Sequence, residues 1–195
     1  MAAKTLLVLC LVLLLDDPQA HSQPDSVYYT ESGYVEFASH VPLHSFTGES
    51  ENLTGMIDAE KNLIDFYVDL KTLKTGIGKR DRDMYKTLNT DDHPFAEFTG
   101  SFDSPVPTSL KSTDTLSVSV SGDFTINGIS KSMTIEGTLV SVQDGLKLES
   151  EFKVNLNDHQ IEPPGILFYR VEEVQDVTLE ATLKLTPREQ LVNSN

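Results

Sequence analysis

The chain has 195 residues, of which 38% are hydrophobic and 8% aromatic, with no tryptophan and a formal charge of −15. That length supports one domain with a substantial core. So acidic a surface repels phosphate backbones and anionic headgroups, which argues against a nucleic-acid partner and fits a role in solubility.

The first 22 residues read as a segment apart. Lys4 is followed by an unbroken apolar run from Leu6 to Leu15, closed by Asp16, Asp17 and Pro18, with small residues at Ala20 and Ser22. The run is shorter than the roughly 20 apolar residues a bilayer span needs. The pattern predicts a signal peptide over residues 1–22, hence a secreted or periplasmic protein with no stable membrane insertion. Cys10 is the only cysteine and lies inside this run. The remaining chain therefore has no thiol, no disulfide and no cysteine-based metal site.

Residues 23–32 read as a polar leader, residues 33–187 as the folded domain and residues 188–195 as a loose tail. Alternation begins at Gly33, with Val35, Phe37, Ser39 and Val41 on one parity. Thr54 to Ala59 is a short strand candidate. Ile64, Phe66, Val68 and Leu70 alternate with Asp65, Tyr67, Asp69 and Lys71, and Ala96, Phe98 and Phe102 alternate with Glu97, Thr99 and Ser101. Between these two, the charged stretch Arg80 to Leu88 carries Met84, Tyr85 and Leu88 at helical spacing and predicts a short surface helix stopped before Pro94.

The clearest strand is Thr115 to Ile126. Leu116, Val118, Val120, Gly122, Phe124 and Ile126 share one face, and every residue of the other parity is polar. A strand with one dry and one wet face belongs to an antiparallel sheet. Asn127-Gly128 predicts a tight hairpin turn, and Asp144-Gly145 predicts a second. Counted from these turns, Gly137 pairs with Val118 on one side and Phe152 on the other, and Ile135 lies between Val120 and Val154. After a long loop, Asn157 to Glu173, the last strand runs from Val174 to Leu185 with Val177, Leu179, Ala181, Leu183 and Leu185 facing in.

About eight antiparallel strands with one apolar face and little helix to cover it must close on themselves or pack on a second sheet, and tight hairpins in sequence favour closure. The expected fold is all-β, a lipocalin-like antiparallel β-barrel. A barrel of this size is filled by side chains or holds one slender ligand. Inward small residues (Gly122, Gly137, Ser141, Ser150, Ala181) favour space, and the phenylalanines favour filling; the pattern leaves both open.

A resemblance bears on that choice. Leu73-Lys74-Thr75-Gly76, Arg80-Asp81, Met84, Leu88 and Asp92-His93-Pro94-Phe95-Ala96-Glu97-Phe98-Thr99-Gly100 resemble the YceI-like polyisoprenoid-binding family, as does the hairpin Gly122-Asp123-Phe124-Thr125-Ile126-Asn127-Gly128-Ile129-Ser130-Lys131. Phe152 to Asp158 is similar to the family's late strand, although Asp158-His159 replaces its Asp-Tyr ending. The likeness spans roughly Gly33 to Thr186. It implies an exported barrel that holds a polyisoprenoid, an isoprenoid quinone or a similar amphiphilic lipid, with no catalytic activity and no cofactor beyond such a lipid or quinone.

On that reading the lipid-binding residues are Phe37, Phe66, Val68, Phe98, Val120, Phe124, Ile135, Phe152, Val154 and Leu179, with Lys131 near the hairpin tip as a headgroup contact or a lysine snorkelling outward. The run Arg80-Asp81-Arg82-Asp83 reads as a solvated face of a helix that plugs one barrel end. His40, His44, His93 and His159 lack ligand spacing, so no metal site is expected. No serine stands in a nucleophile elbow, and Asn52-Leu53-Thr54 matches a glycosylation sequon. The expected partner is a hydrophobic small molecule; the oligomeric state stays open, a homodimer included. Two competitors remain: a filled barrel acting as a secreted stress or interaction protein, and a small barrel isomerase.

Overall fold

A computed structural model describes residues 26–41, 44–107, 115–163, 165–166 and 169–192. The expected signal peptide lies outside them. The strands are β1 (Ser26–Val41), β2 (His44–Asp58), β3 (Leu63–Asp69), β4 (Phe95–Phe102), β5 (Thr115–Ile126), β6 (Ile129–Val142), β7 (Gly145–Asn155), the two-residue β8 (Gly165–Ile166) and β9 (Tyr169–Arg170), and β10 (Val174–Pro187). Helix α1 (Gly78–Thr87) lies between β3 and β4, α2 (Arg188–Val192) follows β10, and 3-10 turns occupy Leu70–Thr72 and Leu156–His159. Strands β8 and β9 pair only with each other. The other eight close into an antiparallel barrel in the order β1-β10-β7-β6-β5-β4-β3-β2.

The expected barrel is therefore present, and several local readings need correction. Residues 26–32 belong to β1, not to a polar leader: Tyr28 pairs with Ile57 and with Leu185. The register shifts between Thr30 and Val35. That irregularity moves the inward parity from even to odd residues and hides the alternation. Strand β2 starts at His44, ten residues before the expected Thr54; after Phe46 its next inward positions are Gly48 and Ser50, which hide the alternation. The supposed tail begins with α2 instead of a loose segment.

The first hairpin forms as expected. Asn127 and Gly128 both adopt positive φ (53° and 68°), and Ile126 pairs with Ile129. The second does not. Val142 pairs with Gly145, so Gln143-Asp144 is the loop; Asp144 takes positive φ (67°), and Gly145 enters the ladder. A Cβ on Gly145 would lie 1.9 Å from the Leu183 carbonyl oxygen, so close strand packing, not turn geometry, requires this glycine. The β6–β7 register moves by two residues. Gly137 faces Ser150 rather than Phe152, but the same faces stay inward because side chains alternate with period two.

Below Gly137 the wall opens. The β6–β7 ladder stops at Gly137↔Ser150, although β6 runs on to Ile129 and β7 to Asn155. At the point of divergence the Ser150 hydroxyl donates to the Glu136 carbonyl (2.7 Å). The turn Leu156–His159 approaches β6 further down: the His159 ring nitrogen Nδ1 donates to the Ile129 carbonyl at 2.8 Å. Buried His159 thus completes a wall that β7 leaves.

The opposite half of the barrel is filled. Ile57, Ile64, Phe66, Phe98, Phe102, Val120, Leu139, Leu148 and Leu183 are all buried there. The outside of this half is tied by an ion pair between the Arg188 guanidinium and Asp58 (2.5 Å). The Asp58 side chain is only 3% exposed and also accepts from the Lys61 backbone N–H. Burial pushes the Asp58 carboxyl up, but the Lys61 contacts and the Arg188 charge together hold it below the usual carboxylate value.

Removing the cation leaves a buried charge short of a partner. Arg188→Ala is expected to lower stability at neutral pH by about 2 kcal/mol. A carboxylate with a depressed value stabilises the fold above its unfolded range, near about 3.9, and loses that contribution as pH falls through the depressed value. Urea unfolding of both proteins should therefore show a gap at pH 7 that closes in acid; a gap independent of pH would show that Asp58 is not its source.

Candidate functional site

A half-open cavity of about 780 Å³ occupies the other end of the barrel. Seven strands contribute to its wall, with Phe37 from β1, Phe46 from β2, Val68 from β3, Ala96 from β4, Phe124 and Ile126 from β5, Val154 from β7, and two residues of β10. Leu70, Leu73, Leu156, Val171, Gln175 and Val177 complete it. Its inner limit follows from register. Phe66 lies one inward step below Val68, Phe98 one step below Ala96, and the two pair directly. Both are buried and neither lines the cavity, so these rings form its floor.

Helix α1 covers the mouth. Lys79, Arg80, Asp83, Met84, Lys86, Thr87 and the following Leu88 all line the cavity, along one broad stripe of the helix. The local sequence explains why a ten-residue charged helix holds there. Its N-cap, Ile77, offers no side-chain cap, but Asp81 reaches back and accepts from the Thr75 backbone N–H (2.8 Å) and hydroxyl. The Tyr85 hydroxyl donates to the Leu73 carbonyl at 2.7 Å and accepts from Lys74 Nζ at 2.6 Å. At the C-terminal end the Leu88 N–H bonds the Met84 carbonyl (2.9 Å), and Asn89 turns the chain with φ 54°.

The Thr75 hydroxyl bond is the main reason the Asp81 carboxyl is held below its ordinary value. Burial opposes the shift, and the Thr75 N–H and the charges of Lys74 and Arg80 add to it. Arg80 crosses the mouth. Its guanidinium stacks 4.5 Å from the Phe46 ring centre and donates to the Thr75 carbonyl at 2.6 Å. Phe46 in turn meets Phe37 edge to face at 6.2 Å.

The far rim is the β5–β6 hairpin. The Asn127 side chain donates to the His159 carbonyl (3.1 Å) and accepts from Asn89 (3.4 Å), which ties the turn to both the Leu156–His159 segment and the end of α1. Gly128 lies against His93; a Cβ there would sit 2.5 Å from the imidazole. Phe124 meets His159 edge to face at 5.4 Å.

The residues expected to hold a ligand thus fall into three groups. Phe37, Val68, Phe124 and Val154 line the cavity. Phe66, Phe98, Val120 and Ile135 are buried in the filled half, and Phe152 and Leu179 are half-buried against that core. Lys131 pairs with Phe124 on the inward parity but is exposed, because the wall has opened before β6 reaches it; it does not line the cavity. The reading of Arg80-Asp81 as only a solvated face also changes, since Asp81 is buried and Arg80 lies at the mouth. Sequence reasoning missed Phe46 and the inner stripe of α1; Met84 and Leu88 on an otherwise charged helix were the available signal. No group of three or more His, Cys, Asp or Glu among the described residues could hold a metal. No helix among them is long and apolar enough to cross a membrane.

The chain matches the YceI-like domain over residues 26–185. It belongs to that family. The fold is similar to that of a polyisoprenoid binding domain from Saccharophagus degradans implicated in plant cell wall breakdown (TM-score 0.71, 15% identity, covering 83% of this chain and 99% of that one). It is also similar to BcnA from Burkholderia cenocepacia (TM-score 0.62, 12% identity, 76% and 94% covered) and to the YCEI protein of Campylobacter jejuni (TM-score 0.54, 16% identity, 73% and 88% covered). No curated protein matches the chain.

Within this YceI-like barrel, Asp81 is the anchor of the helix over the mouth. Asp81→Ala removes the acceptor of two hydrogen bonds and is expected to cost about 1–3 kcal/mol. Its further signature is local: amide exchange should accelerate over residues 78–88 more than in β5 or β10. Uniform acceleration across the barrel would mean that Asp81 supports the whole fold rather than the helix.

Proposed function

We propose that this YceI-like protein is an exported binding protein that holds one tail of a polyisoprenoid, an isoprenoid quinone or a similar amphiphilic lipid. The observation that carries the reading is the apolar cavity at one end of the barrel, of a size typical of small-ligand sites. Each buried methylene contributes about 0.8 kcal/mol, so a hydrocarbon tail is held there without special polar contacts. The Saccharophagus degradans domain, described as polyisoprenoid binding, has the same fold. Export rests on the apolar run of residues 6–15 and its acidic stop.

Binding fits this site better than catalysis. Asp83 is the single carboxylate of the cavity lining, and it is paired with Lys79 at 2.7 Å. The lining offers no second carboxylate or histidine to work as its acid–base partner. A completely filled barrel describes only the half beyond Phe66 and Phe98.

The floor limits what can be held. Strand residues advance about 3.3 Å each, and the wall above the rings is about two inward residues deep on most strands. A long tail therefore buries only its first part. Affinity for a series of saturated alcohols should climb about fourfold per methylene and then flatten when the tail meets the floor.

Lipid extraction and native mass spectrometry of protein purified from its own host should show one bound amphiphile. Val154→Phe, which adds a ring inside the cavity, should release it and weaken tail binding by about tenfold or more while the thermal midpoint moves little. A Val154→Phe protein that retains its lipid would remove the cavity from the proposal, and a lipid-free extract with no alcohol binding would remove the lipid.

A further inference from the structure

The cavity mouth carries more charge recognition than a tail requires. Its lining includes three cations, Lys79, Arg80 and Lys86, and one carboxylate, Asp83, in a chain whose formal charge is −15. Asp83 is engaged with Lys79. The balance at the mouth is therefore positive where the molecule as a whole is strongly negative.

Arg80 is also held in place. Phe46 supports one face of its guanidinium, and the Thr75 carbonyl takes one of its N–H groups. Its Nε is buried and has no partner among the described residues. Three buried side-chain polar atoms are in that condition there: Arg80 Nε, Ser39 Oγ and Asn62 Oδ1. Ser39 is the direct register partner of Phe46. An unfulfilled donor thus belongs to the guanidinium stacked on Phe46 at the cavity rim. A guanidinium is a planar donor suited to carboxylate and phosphate oxygens, and stacking it in advance lowers the ordering cost of using it.

We propose that Arg80, stacked on Phe46 and flanked by Lys79 and Lys86, receives the anionic head of a single-tailed amphiphile whose tail lies on the Phe66–Phe98 floor. The proposal rests on the lipid-binding reading and adds the head: a carboxylate or phosphate, with the tail pointing in and the charge at the helix. The positive mouth would select such heads against the repulsion of the surrounding acidic surface. It also gives α1 a role beyond covering the barrel, since the helix supplies all three cations.

The test compares dodecanoate, dodecyl phosphate and dodecanol on the full chain by titration calorimetry. The two anions should bind at least about tenfold more tightly than the alcohol, and the preference should shrink as salt rises. Arg80→Met keeps an apolar stem over Phe46 and removes the donor. It should bring the anions to within about twofold of the alcohol measured on the same variant, while an unchanged circular-dichroism spectrum reports an intact barrel. If Arg80→Met does not fold, Lys86→Gln, an exposed position, should lower the preference severalfold. Inorganic phosphate at equal concentration should not compete with dodecyl phosphate. Equal binding of alcohol and anions, an unchanged preference in both variants, or competition by free phosphate overturns the head assignment while the lipid reading stands. Failure of all three amphiphiles to bind overturns both.

Discussion

The structure depends on how aromatic rings are accommodated inside a narrow barrel. Phe66 and Phe98 pair across β3 and β4, and glycines give them room: a Cβ on Gly55 would sit 2.0 Å from the Phe66 ring, and one on Gly122 would sit 2.9 Å from Phe98 and 2.4 Å from the Thr99 carbonyl. Large groups opposite missing side chains fill the section without strain. The filled half of the barrel lies on one side of these rings and most of the cavity wall on the other. The division lets one barrel be a stable scaffold and a container at once, because the apolar burial that stabilises it is concentrated where no ligand goes.

The segments that carry the YceI-like resemblance turn out to be physically adjacent. Thr75, Arg80 and Asp81 lock the start of α1. The Pro94 carbonyl accepts from the Leu70 N–H where β3 ends, and His93 lies under Gly128. Asn127 joins the hairpin to Asn89 and to the His159 carbonyl. These contacts are polar and local, and all of them frame the open end. Asp158-His159, the pair that departs from the family pattern, also takes part: His159 bridges to β6 where β7 has turned away. A histidine can do this because it combines an N–H donor for the Ile129 carbonyl with a ring edge for Phe124.

Much of the barrel was legible because alternation encodes which face is dry. Thr115–Ile126 and the Asn127-Gly128 turn were enough to define β5, its hairpin and its partner register. The misreadings had separate local causes. The shift near Thr30–Val35 concealed the start of β1, and small inward residues concealed β2. At Asp144-Gly145 the dipeptide suited a turn, but close approach to Leu183 placed the glycine in the strand. The site was less legible for a different reason. Parity tells which residues face the axis and not at which height the axis is empty. Phe98 and Phe124 are direct register partners, yet only Phe124 touches the cavity. Lys131 has the right parity and the height of Phe124, yet it is exposed because β6 has already parted from β7 there. Phe46 and the inner stripe of α1 come from elements whose arrangement depends on tertiary packing, which a strand pattern does not contain.

The open end must keep its shape without the close packing of the other half, because an apolar space loses the dispersion contacts that would otherwise brace its wall. The barrel resolves this by bracing from outside. The Thr75–Asp81 bonds, the Tyr85 hydroxyl on Leu73, the Asn127 links and the His159 bridge all lie around the rim rather than across it. Where β6 and β7 separate, a continued ladder would have drawn the wall together; the Ser150 hydroxyl ends it by bonding the Glu136 carbonyl itself. A rim held by directional polar bonds keeps a wide mouth at fixed geometry, whereas apolar contacts alone would gain by collapsing into the space. The emptiness is thus a property the rim bonds maintain, and it is the reason a positively charged helix can lie over a hydrocarbon-lined cavity without falling into it.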